Sequence, residues 1–103
     1  MKITVEAVSS YITSIGTTFF GMVYLNHEFM GCVGITNKLE FETKNSENEI
    51  EVIDGYKSAI KNKIRFVATE DVQFWIGFSG ALTKHIEIYG KGNDYKLISE
   101  SKE

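Results

Sequence analysis

The sequence predicts an α+β domain of three antiparallel strands, a helix, a strand, a short helical segment and a closing strand. Residues 3–33 are dense in β-branched and aromatic side chains, with turn residues between them. Ser46-Glu47-Asn48-Glu49 has the form of a capping box and opens a stretch whose apolar residues recur at nearly helical spacing. Residues 63–75 run from an apolar strand into the acidic pair Glu70 and Asp71 and then turn amphipathic, which delivers carboxylates to a strand end. With 103 residues, 43% of them hydrophobic, the chain makes one domain whose core needs no staple, over residues 1–98, ahead of a charged tail at 99–103.

The first strand covers residues 3–12, with Ile3, Val5 and Ala7 on one face and Thr4, Glu6 and Val8 on the other, so Glu6 sits mid-strand. Ser14-Ile15-Gly16 turns the chain. Residues 17–25 then form a nearly unbroken apolar strand through Phe19, Phe20, Met22, Val23 and Tyr24, covered on both faces. Asn26-His27 supplies a tight hairpin, because Asn tolerates the left-handed conformation, and residues 28–33 return as a third strand. Residues 34–45 are a polar connection with a short extended piece at 39–42. The helix starts at Ser46. Its stripe of Ile50, Ile53, Tyr56, Ala59 and Ile60 faces the sheet, and Lys57, Lys61 and Lys63 gather toward the end that favours cations. Residues 64–69 form the organising strand, and 71–78 read either as a second helix or as a structured loop, since Gly77 and Gly80 oppose a helix. Residues 85–89 alternate as a strand, 90–94 turn, and 95–98 form a last short strand.

Composition restricts function. Cys32 is the only cysteine, so no internal disulfide forms, and its apolar neighbours fit a small buried thiol in a reducing compartment. No apolar run approaches the ~20 residues of a membrane helix, and Met1 to Val5 enters a strand rather than a leader, so a soluble, cytoplasmic protein is expected. Net charge is −3, and Arg65 is the only arginine. Polymeric nucleic acid is therefore disfavoured as a partner, because its binding rests on clustered Lys and Arg. His27 and His85 stand apart, without the spacing of metal ligands.

Several local motifs accompany the element order. Glu6-Ala7-Val8-Ser9-Ser10 is a strand acid followed by small residues, and Thr17-Thr18-Phe19-Phe20-Gly21-Met22-Val23 is a glycine-containing second strand. Glu49 stands near the helix start, Asp71-Val72-Gln73-Phe74-Trp75 follows the fourth strand, and residues 85–92 end in Lys91-Gly92. Together these resemble the ribonuclease H-like fold, whose signature Asp-Ser-Gln-Tyr-Val is similar to the segment at Asp71. The resemblance implies a mixed sheet and, in an active member, Mg²⁺-dependent hydrolysis of RNA or a hybrid, with Glu6, Glu49 and Asp71 as catalytic metal ligands. The chain departs from the family in lacking the basic handle helix and a helix after Gly92 to bring a fourth aspartate; Asp94 is the nearest substitute. Each acid also has a plainer role: Glu49 in the capping box, Glu6 facing solvent from an edge strand, Asp71 as a cap on the following segment.

With the fourth acid and the handle gone, the expected function is non-catalytic nucleotide binding. Phe74 and Trp75, with Phe78, offer stacking surfaces, and Arg65, Lys91 and Asn93 offer phosphate or base contacts. The same aromatics fit a core. No cofactor is expected, Mg²⁺ belonging only to the nuclease reading. Seven Phe, five Tyr and one Trp in so short a chain favour a homo-oligomer. In size and in its lack of polymer-binding charge the chain resembles small phage-encoded anti-defence proteins, among them the Thoeris anti-defence family, which sequesters cyclic nucleotide signals as an oligomer without cleaving them. That resemblance implies immune evasion in the host cytoplasm. Two alternatives stay open: the Mg²⁺-dependent nuclease, and a small inhibitor presenting an acidic face to a nucleic-acid enzyme.

Overall fold

The structure is a computed structural model and describes residues 1–7, 20–34, 37–79 and 85–102. It is all-β. Nine strands run in chain order: β1 (Lys2–Ala7), β2 (Phe20–Leu25), β3 (Glu28–Gly34), β4 (Lys38–Glu42), β5 (Glu47–Asp54), β6 (Lys61–Val67), β7 (Val72–Ser79), β8 (His85–Gly90) and β9 (Lys96–Lys102). They form a four-stranded sheet in the order β4-β1-β7-β8 and a five-stranded sheet in the order β3-β2-β5-β6-β9. All pairings are antiparallel except β1 with β7, which run parallel.

The expected α+β, ribonuclease H-like architecture is overturned, since no helix occurs among the described residues. Where the helix was expected, β5 alternates strictly: Asn48, Ile50, Val52 and Asp54 are buried, while Glu47, Glu49, Glu51 and Ile53 face outward. A period of two places these side chains on the two faces of a strand, and pairing with both β2 and β6 holds it in the sheet. The second helical segment is β7, whose Val72, Phe74 and Ile76 point inward. The extended piece at 39–42 is β4, and the closing strand continues through 99–102, the expected tail, paired with β6. The readings at 8–19, including the Ser14-Ile15-Gly16 turn, and at Gly80 lie outside the described residues.

The two sheets enclose one core. Ile3, Val5, Phe41, Phe74, Ile76, Ile86 and Ile88 come from the four-stranded sheet, and Val23, Val33, Ile50, Val52, Ile64 and Phe66 from the other. At its centre Phe74 and Phe66 meet across the gap edge to face, with centroids 4.9 Å apart. Tyr95, from the β8–β9 connection, packs edge-on against both, at 5.0 and 6.1 Å. The hairpin Asn26-His27 is present as expected, with φ of 50° and 72°, the left-handed pair that a two-residue turn requires. Asn26 then ties the turn to β5: its Oδ1 accepts from the Glu49 amide at 2.8 Å, and its Nδ2 donates to buried Asn48 at 2.9 Å.

Candidate functional site

Because Ile3, Val5, Val72, Phe74 and Ile76 point into the core, their strand neighbours Glu6, Gln73 and Trp75 stand on the outer face of the four-stranded sheet. The register draws them together: Glu6 lies opposite Trp75 in the parallel β1–β7 pair, Trp75 opposite Tyr89 of β8, and Glu6 opposite Lys38 of β4. One row thus crosses the sheet as Lys38, Glu6, Trp75, Tyr89.

Side chains lock this row. The Trp75 indole N–H donates to Glu6 Oε1 at 3.1 Å, and Gln73 Nε2 donates to the same oxygen at 3.2 Å. With the indole N–H held, the ring cannot swing freely about its own bond to the strand. Trp75 and Tyr89 stack with centroids 6.4 Å apart and planes 28° from parallel, and Tyr89 remains 42% exposed. The arrangement is an oriented, partly exposed pair of aromatic rings bordered on one side by a carboxylate. Chemically it can stack a planar ring and accept hydrogen bonds from that ring's edge.

The other expected site residues are dispersed. Phe74 is fully buried between the sheets, so it is core and closed to a ligand. Arg65 stands on the outer face of the opposite sheet, where its register partner is Glu49. Glu49 has only 11% of its side chain exposed and faces two cations, Lys63 Nζ at 3.8 Å and Arg65 Nη2 at 4.0 Å, with the His27 imidazole Nε2 at 3.3 Å. It is the acid of a cross-strand ladder rather than of a capping box. Beside it, a shallow depression is lined by Glu51, Lys61, Lys63 and Ser101, two basic residues offset by an acid. Lys91 and Asn93 lie exposed in the turn after β8, displaced from the row along the strands toward Gln73, since Gly90 pairs with Phe74.

Glu6, Glu49 and Asp71 do not converge. Glu6 and Glu49 lie on the outer faces of opposite sheets, with the core between them. Asp71, just before β7, accepts from the Lys2 amide at 2.7 Å and so fastens the start of β1 to the start of β7. It stands four residues from Trp75, about 13 Å along an extended strand. Among the described residues no three His, Cys, Asp or Glu side chains gather closely enough to hold a metal ion. Nor is any described helix long and apolar enough to cross a membrane.

Sequence reasoning passed over Tyr89 and Lys38 as contributors. The alternation from His85 to Tyr89 already put the tyrosine on the polar face of its strand, a signal that an aromatic there faces outward. Lys38 carried no such signal, because only the β1–β4 register places it beside Glu6. Compared with protein-family models, with curated proteins and with solved structures, the chain matches none.

Proposed function

We propose that this chain is a non-catalytic nucleotide-binding domain whose ligand stacks on Trp75 and Tyr89. The observation that carries the reading is the partly exposed aromatic pair, held in one orientation by Glu6 and Gln73 on an otherwise polar sheet face. Stacking a base on an aromatic side chain contributes about 1–3 kcal/mol and tolerates many sugar and phosphate arrangements. Lys91 and Asn93 are exposed in the turn that follows Tyr89 and Gly90, and in this reading they contact the phosphate. The dispersal of Glu6, Glu49 and Asp71 removes the support that the nuclease reading drew from those three acids.

Equilibrium dialysis against cyclic and linear nucleotides, followed by mass spectrometry of the released ligand, tests the proposal. The expected result is retention of an unmodified nucleotide, weakened about 5- to 100-fold in Tyr89→Ala by loss of one stacking partner. Recovery of hydrolysed products would show an enzyme instead, and retention of no nucleotide would remove the reading altogether.

A further inference from the structure

Resting on the stacking reading above, we infer that the Trp75–Tyr89 pair takes a base carrying a fixed positive charge, such as an N-methylated purine, in preference to a neutral one. The first support is the bond at the edge of Trp75. Its indole N–H donates to Glu6 Oε1 at 3.1 Å, and the Gln73 amide donates to the same oxygen at 3.2 Å. A carboxylate accepting from the N–H stands beside the ring rather than over it. Its negative charge adds to that of the electron-rich indole face, the part of an aromatic ring that attracts cations. Glu6 thus acts through the ring and needs no contact with the ligand.

The second support is the charge of the sheet face. Alternation places Lys2 and Glu6 of β1, Lys38, Glu40 and Glu42 of β4, and His85, Glu87 and Tyr89 of β8 on the outer side. On these strands four carboxylates share that side with two lysines and His85, and Lys38 Nζ lies 3.4 Å from Glu40. Glu87 stands two residues from Tyr89 on the same side of β8. A nucleotide with a neutral base gains nothing from this field, whereas a cationic base is attracted to it while its phosphate reaches Lys91 and Asn93. A charge stacked on the Trp75 ring lies about 7 Å from the Glu6 carboxylate. The attraction at that separation corresponds to about 3- to 50-fold in affinity, between the screening of bulk water and that of a protein surface.

Trp75 is the chain's one tryptophan, so its emission reports this face alone. The test titrates the protein with AMP and 1-methyl-AMP, and with GMP and 7-methyl-GMP, in mildly acidic buffer where both methylated bases are cations, and compares the midpoints of Trp75 quenching. Each methylated nucleotide is expected to bind about 3- to 50-fold more tightly than its parent, and the gap should narrow at high salt. Glu6→Gln keeps an oxygen to accept from Trp75 and Gln73 but removes the charge, so that variant should lose most of the preference. Near-ultraviolet circular dichroism of the variant, matching the parent, shows that the fold is kept. Equal midpoints within each pair, or a gap that salt leaves unchanged, would overturn the preference for a cationic base while leaving the stacking reading in place. A preference unchanged in Glu6→Gln would overturn the role given to Glu6, and quenching by none of the four would defeat the stacking reading itself.

Discussion

Phe74 and Trp75 are adjacent in sequence, yet the structure gives them opposite roles, and truncating Phe74 tests that division. Phe74 is 0% exposed and touches Phe66 of the other sheet and Tyr95 of the β8–β9 connection, at 4.9 and 5.0 Å between centroids. Phe74→Ala removes the ring that joins the two sheets and strips both neighbours of an edge-to-face partner. Hydrogen-bonded ladders wall the site on both sides, so it cannot collapse far, and a buried Phe→Ala change under such conditions costs about 3–5 kcal/mol. That is a large share of the roughly 5–15 kcal/mol that holds a domain folded. With a urea m-value of about 2 kcal/mol/M, the unfolding midpoint should fall by roughly 1.5–2.5 M. Urea titration followed by far-ultraviolet circular dichroism measures the shift. A fall below about 0.5 M would mean that the ring does not bridge the sheets and that the inward assignment of the whole β7 face is wrong.

Two further outcomes follow from local geometry. A methyl group at Gly90 would lie 2.7 Å from the Gln73 carbonyl oxygen and 3.0 Å from the Tyr95 ring. Gly90→Ala should therefore lower stability by about 1–3 kcal/mol, read as a lower melting temperature, and an unchanged value would show that β8 can shift freely. His27 holds φ of 72° in the hairpin turn and pairs with Glu49 while its side chain is 82% exposed. The His27 end of this contact is largely in solvent, which keeps its worth small, and left-handed φ is unfavourable for a residue with a Cβ, so His27→Gly should leave stability unchanged or raise it by up to about 1 kcal/mol. A loss above that amount in chemical denaturation would show that the contact with Glu49 dominates the turn.

Much of the strand structure was legible because its signals are local. Asn26-His27 announced a hairpin through turn chemistry that needs no distant partner, and the alternation around Ile86 and Ile88 announced β8. The false helix at β5 arose because two of its four inward positions are polar. Asn48 is buried with hydrogen bonds to Asn26, Thr43 and Asn45, and Asp54 is buried accepting from the Lys57 amide. Those contacts make burial tolerable but hide the period of two from any reading based on hydrophobicity. What remained visible, Ile50, Ile53, Tyr56 and Ala59, fits a helical stripe by coincidence. In the candidate site, the outward position of Trp75 and the inward one of Phe74 follow once residues 72–79 are read as a strand. The meeting of Glu6 with Trp75 does not, because a parallel pairing leaves no mark in either segment.

The contact between Glu6 and Trp75 joins residues 69 apart in the chain. Parallel pairing over such a separation requires a large loop to close before any ladder bond rewards it, and contacts of that kind form slowly. The hairpin of β2 and β3 assembles from neighbours, whereas the aromatic row waits until β7 has found β1. A nascent chain that has emerged only as far as Ala68 therefore lacks both aromatic members of the row, however much of the five-stranded sheet it has built. Emission from Trp75 during refolding should accordingly follow closure of the β1–β7 ladder, a step distinct in time from the gain of the first hairpin's circular dichroism.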